Sequence, residues 1–231
     1  MTESKIDIKT SDAPRNAPSV IIFGGTFDPP HAGHAACLKA LTEQFPTSKI
    51  MVVPAAEPPP TSGQLKKPLF SFADRLELCR LMVADVGAPA AVEVSDIEGR
   101  LTAPNFTVNT LEALLASAPK KKFGSALAIT VGADQFSAFE TWHQPDRIIE
   151  LADLILVPRS DETMTWPAEK ATTHARIWTL NVKTPRASSS LIRQAIHNNR
   201  PIPAGLLTPR VLSRLQDMTG KAIEPAFEGP P

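Results

Sequence analysis

Val20-Ile21-Ile22-Phe23-Gly24-Gly25-Thr26-Phe27-Asp28-Pro29-Pro30-His31-Ala32-Gly33-His34 is the stretch that decides how the 231-residue chain folds. The apolar run from Val20 to Phe23 reads as a buried strand. Downstream, Leu38, Leu41 and Phe45 share one face of a helix expected to begin near His34. A strand, a glycine-bearing loop and a helix start form a layout that binds phosphate, because free backbone amides and the positive end of the helix dipole face the ligand. His31 and His34 add imidazole donors that a glycine loop lacks. His34 is expected to stand exposed at the helix start.

Other chemistries fit parts of this stretch. Gly24-Gly25 alone would mark only a turn. His31, His34 and Cys37 are zinc-ligand types, but successive spacings of three drift around a helix and Cys37 lies beside Leu38 on the apolar side. No protein-held metal is expected. Asp28 either meets magnesium carried on a phosphate or caps the loop, and the cap is the expected role.

Lysine and arginine number 24, as do aspartate and glutamate, so no global field favours nucleic acid or an anionic membrane. No apolar run is long enough to span a bilayer, and Met1-Thr2-Glu3-Ser4-Lys5-Ile6-Asp7 lacks the order of a signal peptide. Cys37 and Cys79, the only two cysteines, fall within helical patterns and make a poor disulfide framework. A cytoplasmic location is the simplest account, and nothing in the sequence excludes a homo-oligomer.

Residues 1–18 read as a disordered tail, 19–218 as one folded domain and 219–231 as a second tail. Further strands are expected at Ile50–Pro54, Ala91–Val94, Ala126–Val131, Leu154–Pro158 and Ile177–Leu180. Helices are expected at 72–83, behind a Ser71 cap, and at 107–117. Near-continuous apolar strands separated by helices predict an α/β fold: an open parallel sheet covered on both faces. In such sheets, ligands collect beyond the carboxyl ends of the strands.

Three motifs follow such strand ends. Ser188-Ser189-Ser190-Leu191-Ile192-Arg193 opens a helix whose hydroxyls, amides and guanidinium suit an anion. It equally describes a serine-capped helix with a solvated arginine. Gly132-Ala133-Asp134 places a carboxylate where ribose hydroxyls are often held. In Phe139-Glu140-Thr141-Trp142, the tryptophan is able to stack on a flat cationic ring or to sit in the core. Together with Gly25, Phe27, Asp28, Pro29, His31, Gly33 and His34, these elements resemble the signatures of the nucleotidylyltransferase superfamily: H-x-G-H, and I-S-S-T-x-I-R with Ala187 and Ser190 replacing two positions. Gly132 to Trp142 looks like the G-x-D…F-x-x-W region of bacterial nicotinate mononucleotide adenylyltransferases. Asn105-Phe106-Thr107-Val108-Asn109-Thr110-Leu111 is similar to their S-Y-T-x-x-T-L stretch, and Val157-Pro158-Arg159 to a common strand end. The resemblance spans about Val20 to Leu215.

It implies a Rossmann-like sheet and transfer of AMP from ATP to nicotinate mononucleotide, with magnesium bound through the ATP phosphates. His34, His31 and Arg193 would be catalytic. Gly25, Thr26, Phe27, Asp134, Ser189 and Ser190 would join them in holding ATP, while Thr107, Trp142, Gly25 and Phe27 would face the mononucleotide. Where relatives carry P-P-H-K after the second strand, this chain reads Pro58-Pro59-Pro60-Thr61, leaving Lys66 and Lys67 as the nearest basic residues for the triphosphate. Phosphopantetheine adenylyltransferase shares the first motif but lacks the central G-x-D…W arrangement. A non-catalytic nucleotide sensor of this fold is the other alternative, favoured only by the missing histidine.

Overall fold

The computed structural model describes residues 17–59, 67–87, 90–117, 127–158, 176–185, 187–203 and 205–220. Lys66, Pro60 to Leu65, Ala126, Arg159 and most of both tails lie outside the described residues.

Six parallel strands form one sheet in the order β3-β2-β1-β4-β5-β6. They run over Val20–Gly25 (β1), Lys49–Pro54 (β2), Val92–Val94 (β3), Leu127–Gly132 (β4), Ala152–Val157 (β5) and Ile177–Thr179 (β6). Among the described residues, seven α-helices accompany them: Ala32–Gln44 (α1), Phe72–Val86 (α2), Thr107–Ser117 (α3), Ala133–Ser137 (α4), Pro145–Leu151 (α5), Ser189–His197 (α6) and Pro209–Thr219 (α7). The predicted doubly covered parallel sheet is therefore the observed architecture. Each expected strand is present, displaced by at most two residues.

Alternation along the strands builds two cores. Ile21, Phe23, Ile50, Val52, Ala128 and Ile155 face α1, α2, α6 and α7. Their neighbours Val20, Ile22, Met51, Val53, Ile129, Leu154 and Leu156 face α3, α4 and α5. Because successive side chains point to opposite faces of a strand, an uninterrupted apolar run fills both layers at once. Cys37 and Cys79 are free and buried in the first layer.

One helix start and one helix end correct the expectations. α1 begins at Ala32, ahead of His34, because His31 itself supplies the N-cap. α2 continues to Val86 and stops where Gly87 takes the left-handed conformation at φ 64°, a backbone state in which a Cβ would be strained. No helix among the described residues is long and apolar enough to cross a membrane.

Chain order runs outward from β1 to β3 on one side and from β4 to β6 on the other. The switch point lies between β1 and β4, and the crevice there opens at their carboxyl ends. Gly24 and Gly132 flank it, and a Cβ built at either would meet nothing within 4 Å.

Leu78 is fully buried in α2 against the first core. Leu78→Ala should cost about 2–5 kcal/mol, measured as a lower urea midpoint with an unchanged m-value.

Candidate active site at the switch point

The first loop turns sharply at Phe27, whose φ of 50° is unusual for a residue with a side chain. That turn buries the Phe27 ring, 1% exposed, edge-on against Phe23 at 5.4 Å and His34 at 4.8 Å. A Cβ at Gly25 would come within 3.2 Å of the same ring, so Gly25 is where the backbone passes closest to it.

His31 and His34 form a reciprocal cap on α1. Nδ1 of His31 accepts the Gly33 amide at 3.1 Å, and Nδ1 of His34 accepts the His31 amide at 3.1 Å. The rings stack with centroids 3.8 Å apart and an interplanar angle of 28°. Gly33 makes this fit possible: a Cβ there would stand 2.9 Å from Cε1 of His31. His34 is half-buried between its histidine partner and the two phenylalanines, which corrects the expectation of an exposed side chain.

The cap also fixes the chemistry. With Nδ1 of each ring accepting a backbone N–H, the neutral tautomer of each carries its proton on Nε2. Burial pushes His31 down to about 4. Burial, and then the adjacent His31, hold His34 well below the ordinary histidine range. At neutral pH the pair thus offers two uncharged N–H donors. Cys37, the third member of the zinc-like spacing, is pushed up to about 12 by burial, far from the thiolate that zinc needs.

Asp28 acts as a cap, as expected. Its carboxylate accepts the amides of Leu69 and Phe70, both at 2.9 Å, and lies 3.5 Å from Arg193. Nη1 of Arg193 donates to the Asp28 carbonyl at 2.7 Å and Nη2 to Oγ of Ser190 at 3.0 Å. Oγ of Ser189 donates to the Pro29 carbonyl at 2.9 Å, and Ser188 caps α6 through the Leu191 amide. The α6 start is thereby docked onto the loop carrying the histidines, and Arg193 keeps 24% of its side chain exposed.

On the other side of the crevice, Asp134 is exposed in the first turn of α4. Trp142 is half-buried, its ring 5.1 Å from Phe139 and packed on the second core. Thr107 opens α3. Phe106 stacks on His143 at 4.3 Å, joining the Asn105–Thr107 stretch to the Trp142 stretch. The sequence reading did not single out His143. Lys67 is exposed.

Arg75 was also missed. Its guanidinium, 1% exposed, donates to the carbonyls of Thr26 (2.8 Å), Ala55 (2.5 Å), Ala56 (3.2 Å) and Phe70 (3.2 Å). A sequence signal existed: Arg75 lies three, four and seven residues before Leu78, Cys79 and Met82, on the helix face that enters the core.

Residues 22–195 match the cytidylyltransferase-like family. The chain is 34% identical to the "Probable nicotinate-nucleotide adenylyltransferase" of Solibacter usitatus, over 85% of this chain and 95% of that protein. The chain belongs to the nicotinate-nucleotide adenylyltransferase family. A second family member, from Shewanella sp. W3-18-1, is 31% identical over 84% of this chain and 95% of its own length. The fold is shared with the Plasmodium falciparum nicotinic acid mononucleotide adenylyltransferase complexed with NaAD: TM-score 0.66, 15% identity, covering 86% of this chain and 95% of that one.

The histidine pair gives this family member a pH signature. His31 has a folded pKa of about 4, below its ordinary value of 6.5. The unfolded chain therefore binds the proton first, and the stability is present above pH 6.5 and lost as pH falls towards 4. His31→Asn keeps a capping oxygen but cannot titrate. Its melting temperature should fall less than that of the wild type between pH 7.5 and pH 4.5.

Proposed function

We propose that the chain transfers the AMP moiety of ATP to nicotinate mononucleotide, releasing pyrophosphate and forming nicotinate adenine dinucleotide. A phosphate oxygen of the mononucleotide attacks the α-phosphorus of ATP, and the bond from that phosphorus to the β-phosphate oxygen breaks. The nucleophile is already an anion, so no general base and no covalent intermediate are needed. Alignment and charge stabilisation supply the catalysis.

The observation that carries this reading is the reciprocal histidine cap at the switch point, in a chain whose relatives over nearly their whole length are named for this activity. His34 is assigned to the α-phosphate as charge develops. His31 is assigned to neighbouring phosphate oxygens and the leaving pyrophosphate. Arg193, Ser189 and Ser190 are assigned to the β- and γ-phosphates. Backbone groups of Gly25, Thr26 and Phe27 would line the junction of the two substrates, with Asp134 on the adenosine side and Thr107 and Trp142 on the pyridine side. Lys66 and Lys67 are proposed as added charge for the triphosphate.

Magnesium carried on the ATP phosphates would further neutralise the departing pyrophosphate. The residues fit an ion borne by the substrate, since Asp28 is already engaged by two amides and Arg193.

His34→Asn retains an oxygen able to accept the His31 amide but lacks the Nε2–H. Turnover should fall about a hundredfold to a thousandfold, with circular dichroism unchanged. Pyrophosphate release from ATP with nicotinate mononucleotide, nicotinamide mononucleotide or phosphopantetheine is the direct test, and a normal rate in the variant would overturn the role of His34. Trp142→Ala should raise KM for the mononucleotide more than KM for ATP, consistent with a stacking contribution of about 0.5–2 kcal/mol. Equal changes in both, with a lower melting temperature, would return Trp142 to the core.

A further inference from the structure

The segment leaving β2 is saturated with hydrogen bonds, and most of them come from side chains. The Ala55 amide donates to the Gly25 carbonyl at 2.8 Å, and the Ala55 and Ala56 carbonyls accept from Arg75. The Ala56 amide donates to Oε2 of Glu98 at 3.2 Å. The Glu57 amide donates to Oδ1 of Asn105 at 2.6 Å, and its carbonyl accepts the Asn105 amide at 2.9 Å. One peptide unit, between Ala55 and Ala56, thus lies between a guanidinium on its carbonyl and a carboxylate on its N–H. Low local dielectric and mutual polarisation strengthen such a chain of bonds.

Glu98 sits on a short 3-10 turn, 8% exposed, and reaches α3 as well. Its Oε1 accepts the Thr110 hydroxyl at 2.9 Å, and its own carbonyl accepts Nδ2 of Asn105 at 3.1 Å. We propose that Glu98 is a positioning residue for the mononucleotide: its carboxylate, acting through the Ala55–Ala56 peptide and Thr110, holds the Asn105–Thr107 stretch in register with the Gly25–Thr26 end of β1. This rests on the adenylyltransferase reading above and deepens it, because Thr107 and Gly25 are among the groups assigned to the mononucleotide side.

The charge on Glu98 is sensitive to pH. Burial pushes its carboxyl up to about 7, against the opposing pull of Thr110, the Ala56 amide and Arg75. Arg75 from α2 is the charged group that faces it, while Glu57, Asp96 and Arg100 nearby are exposed, the last two paired with each other. Protonation leaves a weaker, neutral acceptor for the Ala56 amide.

Glu98→Gln preserves shape and acceptor while removing the charge. At pH 8 it should raise KM for the mononucleotide about fivefold, the factor expected when a charge-assisted hydrogen bond becomes a neutral one. The rate constant and KM for ATP should change little. In the wild type, KM for the mononucleotide should rise as pH falls through 7, and the variant should lack the part of that rise due to Glu98. In the ligand-free protein, the hydrogen-exchange protection of the Ala56 amide at pH 8 should drop in the variant. Unchanged KM and pH profile in an active enzyme, or unchanged Ala56 protection, would overturn the proposal. A wild type inactive with ATP and nicotinate mononucleotide would instead refute the assigned reaction, leaving the exchange measurement to decide on the clamp.

Discussion

Burial of the Arg75 guanidinium is the constraint on which the site depends. A cation removed from water must find acceptors or become very costly. Arg75 finds four carbonyls, from the end of β1, the segment leaving β2 and the approach to α2. None of these segments is tied to the others by sheet pairing at those atoms. One side chain therefore converts three loop ends into a single surface. Burial lowers the pKa of Arg75 from its ordinary value, and Asp28, Cys79 and Glu98 oppose that shift. The group stays charged because a guanidinium's intrinsic pKa lies far above neutral pH and four carbonyls meet its donors.

The histidine pair occupies that surface under a second constraint. Stacked imidazoles 3.8 Å apart cannot both carry charge without a counter-ion. Because each ring spends Nδ1 on a backbone amide, the remaining N–H is fixed before any ligand arrives. Pre-set donors need no reorganisation as charge builds on a phosphorus, which is what gives them catalytic value. Asp28 joins this arrangement to α6. Its side chain holds Leu69 and Phe70 while its carbonyl holds Arg193, so the start of α6 and the loop after β2 share one anchor.

Much of this was legible in the sequence. The β1 motif announced strand, loop and helix because apolar run, glycine and periodic leucines each have a local physical cause. The doubly covered sheet followed from strands with no polar face. His34 was misjudged because its burial depends on Phe27 folding back at a positive φ, which no pattern around His34 reports. α7 was not expected, since its polar composition hides Val211 and Leu215, spaced four apart and completely buried. α5 was missed as well, being one short helix started by Pro145. Glu98 was not singled out, and Asn105 entered only as the first residue of a stretch resembling a family motif. Their partners are main-chain amides 42 and 48 positions away, and backbone donors carry no sequence signature.

The two halves of the site differ in how they are held. On the side proposed for the phosphates, the donors are local: His31 and His34 lie within four residues and are fixed by the first turn of one helix. On the side proposed for the mononucleotide, the lining stretches come from the start of α3 and the region after α4, joined by ring contacts such as Phe106 on His143. Local capping fixes atoms closely at little entropic cost, because the helix must order its first turn in any case. Surfaces assembled from distant segments need buried charges such as Arg75 and Glu98 to reach similar order. The triphosphate chemistry is common to every nucleotide donor and can rest on a short motif. Under the proposed assignment, discrimination of the acceptor would fall to the long-range half, and the residues that tune it would lie outside the motif that identifies the fold.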